Sequence, residues 1–180
     1  DLSDAIVDRA MFHIDNCYYL ASVTVRGYRV KTNKVSNTAF RGFGGPQGIL
    51  AIENVIEEIA SATGLDPLVV RQRNFYRPSD NRDTTHYGQR IEQHIIQPLV
   101  ARLIINSEYH KRKNEIHQFN KTSPVLKRGI AITPVKFGIS FTVTHLNQAG
   151  ALLHIYTDGS VQLNHGGTEM GQGLYTKVVQ

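Results

Sequence analysis

Cys17 is the only cysteine in the chain, so no internal disulfide framework can form and no cysteine pair can hold a structural zinc. A lone thiol suits a reducing compartment, and a cytoplasmic protein is expected. Flanked by Tyr18 and Tyr19 in an apolar setting, Cys17 reads as a small buried side chain, not a reactive one. No apolar run approaches the ~20 residues that a membrane-spanning helix needs. Eight histidines (13, 86, 94, 110, 117, 145, 154 and 165) are scattered without the His-Glu-x-x-His spacing of a zinc hydrolase. Gly138-Ile139-Ser140-Phe141-Thr142 lacks the closing glycine of a nucleophile elbow, which argues against a serine hydrolase. No internal repeat and no low-complexity segment is present.

What is present is a globular composition: 41% hydrophobic residues in 180 positions, enough to bury a core in one or two units. The net charge of +5 is uneven. Residues 71–128 hold 12 basic and 5 acidic side chains, whereas 1–70 hold 6 and 8, and 129–180 hold 2 of each. No stacking-aromatic motif accompanies the basic middle. It reads as a solvated face, or one facing other parts of a larger protein, and neither nucleic acid nor membrane is expected as a partner. The chain opens on Asp1 without a methionine and closes on Gln180 inside a helical pattern, so a piece of a longer polypeptide is expected.

Residues 36–48, Ser-Asn-Thr-Ala-Phe-Arg-Gly-Phe-Gly-Gly-Pro-Gln-Gly, concentrate glycine, two phenylalanines and Arg41 ahead of a helical pattern. Glycine admits close approach of the main chain, and Pro46 suits the first turn of a helix. The stretch therefore reads as a loop that brings backbone N–H groups and Arg41 to a helix N-terminus, an arrangement that attracts anions. Its glycine spacing misses Gly-x-Gly-x-x-Gly, and no Gly-Lys-Ser/Thr follows, which excludes a P-loop.

In chain order, residues 1–13 read as a short helix capped by Ser3 or Asp4, with Arg9 on a face with Ile6, Ala10 and His13. On these grounds alone Arg9 is a surface arginine. Residues 17–31 alternate as a strand pair broken at Gly27. Behind the loop, Ile49, Ile52, Val55, Ile56 and Ile59 form a core stripe, Glu53, Glu57 and Glu58 lie toward the other side, and Gly64 is the stop. Asp66-Pro67 caps and opens a further helix that fades before Pro78. Residues 77–90 read as loop, Pro98 as a helix start, and Ser107 as the cap of a helix to about Asn120. From Gly129 the pattern turns to strands: around Ile130 and Ile132, over 135–144, and over 151–156 with an Asp158-Gly159 hairpin turn. A second glycine-rich loop spans 166–173, and a helix starts at Leu174. The order of elements predicts an α+β fold of mixed helices and strands.

Four motifs, in order, resemble the xanthine dehydrogenase and oxidase family of molybdenum hydroxylases. They are Asp8 to His13, Thr38 to Gln47, Lys136 to Val143, and His165 to Gly173. The similarity runs through essentially the whole chain and implies a partial molybdopterin-binding domain of the xanthine dehydrogenase/aldehyde oxidase type. Residues 1–128 would be a first molybdenum-cofactor-binding segment and 129–180 the start of a second. The implied reaction is hydroxylation of hypoxanthine and xanthine to xanthine and urate, with oxygen from water. The resemblance assigns substrate contacts to Arg9, Phe43, Phe141 and Thr142. Arg9 would orient the purine and stabilise developing negative charge, a task suited to a guanidinium that stays charged when desolvated. Phe43 and Phe141, ordinary core residues by themselves, would hold the flat ring face-on and edge-on. Val143 and Leu146 would line the access channel.

Cofactor contacts fall by the same resemblance on Met170, Gly171 and Gln172, and on Arg41, whose main chain would lie near the molybdenum. Glu169 is not the base; the general-base glutamate of the family lies beyond Gln180, so the chain alone is expected to be inactive. FAD and 2Fe-2S clusters would sit on other domains or subunits. The rest of the molybdenum subunit and a dimer of the parent assembly are the implied partners. Thr144-His145 stands where animal members usually have Pro-Phe, and the divergence suggests a bacterial source. Other readings are an aldehyde oxidase or another N-heterocycle hydroxylase, against which Arg9 counts, and a non-catalytic scaffold using the basic segment.

Overall fold

Helix α1 (Ser3–Phe12) meets helix α2 (Gly45–Thr63) backbone to backbone at two glycines. A Cβ on Gly44 would collide with the Ile6 carbonyl, and one on Gly48 with the Ala10 carbonyl. Gly44 also has φ of +99°, in the left-handed region that side chains avoid. Gly44 and Gly48 therefore serve helix packing, which their sequence context alone did not reveal. The computed structural model describes residues 2–138 and 141–180. The chain divides into two compact units, residues 1–138 and 139–180.

In the first unit, α3 (Pro67–Asn74) follows α2 closely, with the expected cap: Asp66 accepts the Leu68 N–H at 2.8 Å. Then come α4 (Ile96–Asn106) and α5 (Tyr109–Thr122). Between α3 and α4 the expected loop contains one short 3-10 turn at Pro78–Asp80. The core gathers Cys17, Tyr18, Ile52, Ile56, Leu68, Val70, Phe75, Val100, Tyr109 and Ile132. Cys17 is fully buried as expected, and burial pushes its thiol up to about 12.

Several expectations need correction. α1 has Leu2 at its N-cap without a side-chain bond, so neither Ser3 nor Asp4 caps it; Asp1 lies outside the described residues. Ser107 ends α4, its hydroxyl donating to the Leu103 carbonyl at 2.7 Å, and Glu108 precedes α5. In place of the strand pair over 17–31, the chain runs from the buried Cys17 and Tyr18 into a mostly exposed stretch over 21–31, and only Tyr18 forms a bridge, to Phe75. Strand alternation needs a partner strand to become a ladder; after the Tyr19 N–H, which donates to the Asn74 carbonyl at 2.7 Å, residues 20–31 pair with no strand among the described residues. The same holds for the strands expected around Ile130, Ile132 and 135–144, of which 139–140 lie outside the described residues.

On α2 the buried line is Gly45, Gly48, Ile52, Ile56 and Ala60, while Val55 and Ile59 face outward at 45% and 42% exposure. Glu53 turns inward instead. It accepts Arg71 Nε at 2.9 Å, Asn16 Nδ2 at 2.9 Å and the Tyr18 hydroxyl at 2.5 Å. Arg71 is 2% exposed and also pairs with Glu57 at 2.6 Å, so a buried cation claims the carboxylates that helical spacing placed in solvent. The basic segment is partly used inside the fold: besides Arg71, Lys113 pairs with Asp66, and Arg128 stacks over Phe119 at 3.8 Å.

The second unit holds one antiparallel hairpin, β1 (Ala151–Ile155) and β2 (Val161–His165), and a short helix α6 (Leu174–Val179). Ala151 pairs with His165 and Ile155 with Val161. The expected Asp158-Gly159 turn closes it, with Tyr156 N–H donating to the Ser160 carbonyl at 2.9 Å. Together the units bear out the α+β expectation of mixed helices and a small sheet.

Candidate functional site

α1 and the residue that caps its C-terminus bring Arg9 and His13 to one side, one turn apart. Arg9 is not a surface residue: it is only 4% exposed. Its Nη1 donates to the Gly138 carbonyl, and its guanidinium carbon stands 5.5 Å from the centre of the Phe137 ring. Burial lowers the Arg9 pKa, but a guanidinium keeps its proton in such settings.

His13 closes on the same residue from the other side. Its Nε2 lies 3.0 Å from the Gly138 nitrogen, and its Nδ1 lies 2.9 Å from the Arg9 carbonyl. An amide N–H can only donate, so Nε2 accepts and Nδ1 carries the hydrogen that goes to the Arg9 carbonyl. The ring is thus neutral. Burial is the main cause that lowers its pKa, with the positive charges of Arg9 and Lys136 adding and the Arg9 carbonyl and Asp15 opposing. Phe137 packs on His13 at 4.7 Å between ring centres and rests on Gly45, where a Cβ would overlap the ring.

Behind this cluster lies Asp15, fully buried, which no motif or spacing singles out. It accepts the Tyr76 hydroxyl at 2.5 Å and Lys136 Nζ at 2.6 Å. Next to it, Asn16 bonds to the Lys136 N–H at 3.0 Å and to the Pro134 carbonyl at 2.9 Å. These bonds tie segment 134–138 to the turn after α1. A cleft beside it is lined by His13, Tyr87, Arg90, Glu92, Lys136 and Phe137.

The signature loop lies beside the start of α2. Phe43 is half-buried with φ of +51°, and its N–H donates to the Phe40 carbonyl at 2.8 Å. Arg41 is exposed. The N–H groups of Gly45 and Gly48 close on the carbonyls of Gly42 and Gly44, and Pro46 has none. Phe43, Gly45 and Gly48 thus use their N–H groups within the turn, and Arg41 is the loop's cation.

The other sequence-predicted residues belong to the second unit. Phe141 is half-buried, its N–H donating to Asn147 Oδ1 at 3.1 Å. Thr142 Oγ1 is buried with no hydrogen-bond partner among the described residues. Val143 is half-buried and Leu146 exposed, the latter in a 3-10 turn at Thr144–Leu146. In the loop at 166–173, Met170 N–H donates to Gln172 Oε1 at 2.6 Å, and Gln172 Nε2 donates to the Thr168 carbonyl at 2.8 Å.

Glu169 accepts the N–H groups of Gly171, Gly173, Leu174 and Tyr175. Desolvation is the largest single influence on its carboxyl and raises it, but the four donors together hold it below the usual carboxylate range. A carboxylate so bound organises the loop and is a poor proton acceptor. Gly171, with φ of +101° and open space around it, leaves the main chain accessible.

A family model described as molybdopterin cofactor-binding domain matches residues 1–75, and a second of the same description matches residues 102–180. Over all 180 residues the chain is 52% identical to "Xanthine dehydrogenase" of Drosophila subobscura and 52% to "Xanthine dehydrogenase/oxidase" of Felis catus. It is 47% identical to "Xanthine dehydrogenase" of Dictyostelium discoideum. It spans 13% of the length of each of these relatives. They are eukaryotic, so the expected bacterial source has no support. The crystal structure of the aldehyde oxidoreductase from Desulfovibrio desulfuricans ATCC 27774 matches with a TM-score of 0.67. The match covers 90% of this chain and 17% of that one at 24% identity, a likeness of fold alone. With cofactor-domain models on both sides and about half of its residues shared with relatives from fly to Dictyostelium, the chain belongs to the xanthine dehydrogenase family and carries its molybdopterin cofactor-binding domains.

Proposed function

We infer that this chain works within a molybdenum-containing oxidoreductase that hydroxylates hypoxanthine and xanthine, with water as the oxygen source. The observation that carries the reading is the buried Arg9, a charged fork stacked over Phe137, in a chain half identical to xanthine dehydrogenases throughout. Arg9, Phe43, Phe141 and Thr142 bind the purine. Arg9 supplies positive charge where the heterocycle becomes negative, and the low polarity around it strengthens that effect. Thr142 Oγ1 has an unused hydrogen-bonding capacity that suits a purine nitrogen or carbonyl.

The residues assigned to molybdopterin fit it. Arg41 is exposed, with no ion pair among the described residues, and its main chain would hold the cofactor on its molybdenum side. Gln172 uses one amide proton on Thr168, and the second is used by no described residue. Gly171 lets the main chain come close to the pterin, and Met170 is exposed beside it. When bound, the cofactor supplies the two-electron redox chemistry; the chain's own residues bind, orient and stabilise charge.

In this reading residues 1–128 and 129–180 are two cofactor-binding segments. The remaining molybdenum subunit, FAD and 2Fe-2S domains and a second copy of the assembly complete the protein, which works in the cytoplasm. Among the described residues no helix is long and apolar enough to cross a membrane. The chain alone is inactive, because the general-base glutamate lies outside it. The test uses the full-length protein loaded with cofactor: turnover of xanthine against an aromatic aldehyde, with Arg9→Ala alongside. Preference for xanthine and a loss of about a hundredfold in kcat/KM for the variant are expected. An aldehyde preference, or an Arg9→Ala enzyme equal to wild type, overturns the purine assignment.

A further inference from the structure

His13 is absorbed by no function assigned above, yet it is a tightly held titratable side chain beside Arg9. It is 7% exposed, and both its ring nitrogens are engaged. The two engagements run to different segments: Nδ1–H to the carbonyl of Arg9 itself, and Nε2 from the N–H of Gly138. Arg9 in turn donates to the carbonyl of Gly138. Residue 138 is therefore gripped at its N–H by His13 and at its C=O by Arg9, with Phe137 packed on both.

We propose that His13 is a positioning residue: in its neutral Nδ1–H tautomer it holds Gly138 and so sets where the Arg9 guanidinium and the Phe137 ring stand, and protonation of His13 releases this grip. The inference rests on the purine reading above only for its effect on turnover.

The chemistry is asymmetric. A protonated imidazole has two N–H donors and no acceptor, so the Gly138 N–H would face another N–H and lose its partner. The grip is then lost at the N–H, and the exposed Gly138 and the Phe137 ring beside it are no longer held from that side. The neighbours set the pH at which this happens. Arg9 on α1 and Lys136 on the same segment as Gly138 disfavour the charged ring, and Asp15 after α1 favours it. Tyr87, Arg90 and Glu92 line the cleft on the open side. α2 meets His13 through Gly48, which brings no charge.

Two variants separate positioning from plain structural support. His13→Gln keeps an acceptor for Gly138 but cannot take a proton. His13→Phe keeps a ring against Phe137 but has no acceptor. In the full-length protein, the hydrogen-exchange protection of the Gly138 amide is measured at pH 8 and pH 5.5, and KM and kcat for xanthine are followed across that range. Wild type should lose protection about tenfold or more on acidification. His13→Gln should hold protection at both pH values and lose the matching rise in KM at low pH. His13→Phe should lack protection throughout and raise KM about tenfold, the equivalent of one hydrogen bond of about 1.4 kcal/mol, with a smaller change in kcat.

Equal wild-type protection at both pH values overturns the proposal. So does acid-induced loss in His13→Gln like that of wild type. Should His13→Phe fail to fold, the His13→Gln comparison decides alone. If wild type does not turn over xanthine, the purine reading fails, while the exchange measurement still judges the grip on Gly138.

Discussion

The α1–α2 crossing and the β1–β2 hairpin are held by opposite means. At the crossing, backbones touch at Gly44 and Gly48; beside it Arg71 of α3 buries an ion pair with Glu53 of α2, and Asp15 and Asn16 tie in segment 134–138. In the hairpin, Leu152, Leu153, Ile155 and Val161 are each more than half exposed, at 66%, 57%, 65% and 58%, and the neighbouring loop is held by its own Glu169. One region is determined by contacts distant in sequence. The other is determined by local turn and ladder bonds, which is why substitutions should act so differently in the two.

The largest effect is expected at Glu53. Replacing it with Ala leaves Arg71 buried with only the half-exposed Glu57 and should cost about 3–5 kcal/mol, read by urea unfolding. Gly48→Val comes next. Its side chain meets the Ala10 carbonyl, and a loss of about 3 kcal/mol is expected. Gly166→Ala is the matched control in the second unit, where nothing lies within 4 Å, and should change stability by less than about 0.5 kcal/mol. Equal costs at 48 and 166 would break the comparison.

A pH measurement sharpens it. His13 is held neutral in the native state, so its folded pKa lies below the unfolded value of 6.5. As pH falls through that value the unfolded chain takes up a proton that the native state refuses, so this contribution to stability, complete at higher pH, is lost toward the lower folded pKa. Stability should therefore decline on acidification below about pH 6.5, and His13→Gln should flatten the decline. The smallest effect concerns Cys17: buried and raised to about 12, it should resist alkylation at pH 8 until denaturant is added. Modification in the native protein would show that the core around residues 17–18 opens.

Much of the fold was legible. Pro46, Gly64, Asp66-Pro67 and Asp158-Gly159 act through their own backbone preferences, and each stands where the pattern placed it. The hairpin, the loop after it and α6 follow for the same local reason. Among the described residues, the strands expected over 17–31, around Ile130 and Ile132, and over 135–144 form no ladder, because alternation states a preference whereas a ladder needs a partner strand. On α2, period alone could not decide between Val55 and Glu53 for the inner face, since the deciding partner, Arg71, comes from another helix.

The motif of Arg9, Arg41, Phe43, Phe141, Thr142 and 170–172 was readable as residue types in order, and that order was enough to place the chain in its family. Composition called Arg9 a surface residue; the tertiary structure buried it beneath Phe137. It also gave His13 a definite tautomer, set Asp15 behind Lys136, and turned the loop glycines toward α1. Local conformation follows from each residue's own backbone and side-chain chemistry. Burial, protonation state and ion pairing depend on neighbours more than a hundred positions away, as Gly138 is from His13, and only the folded chain supplies those.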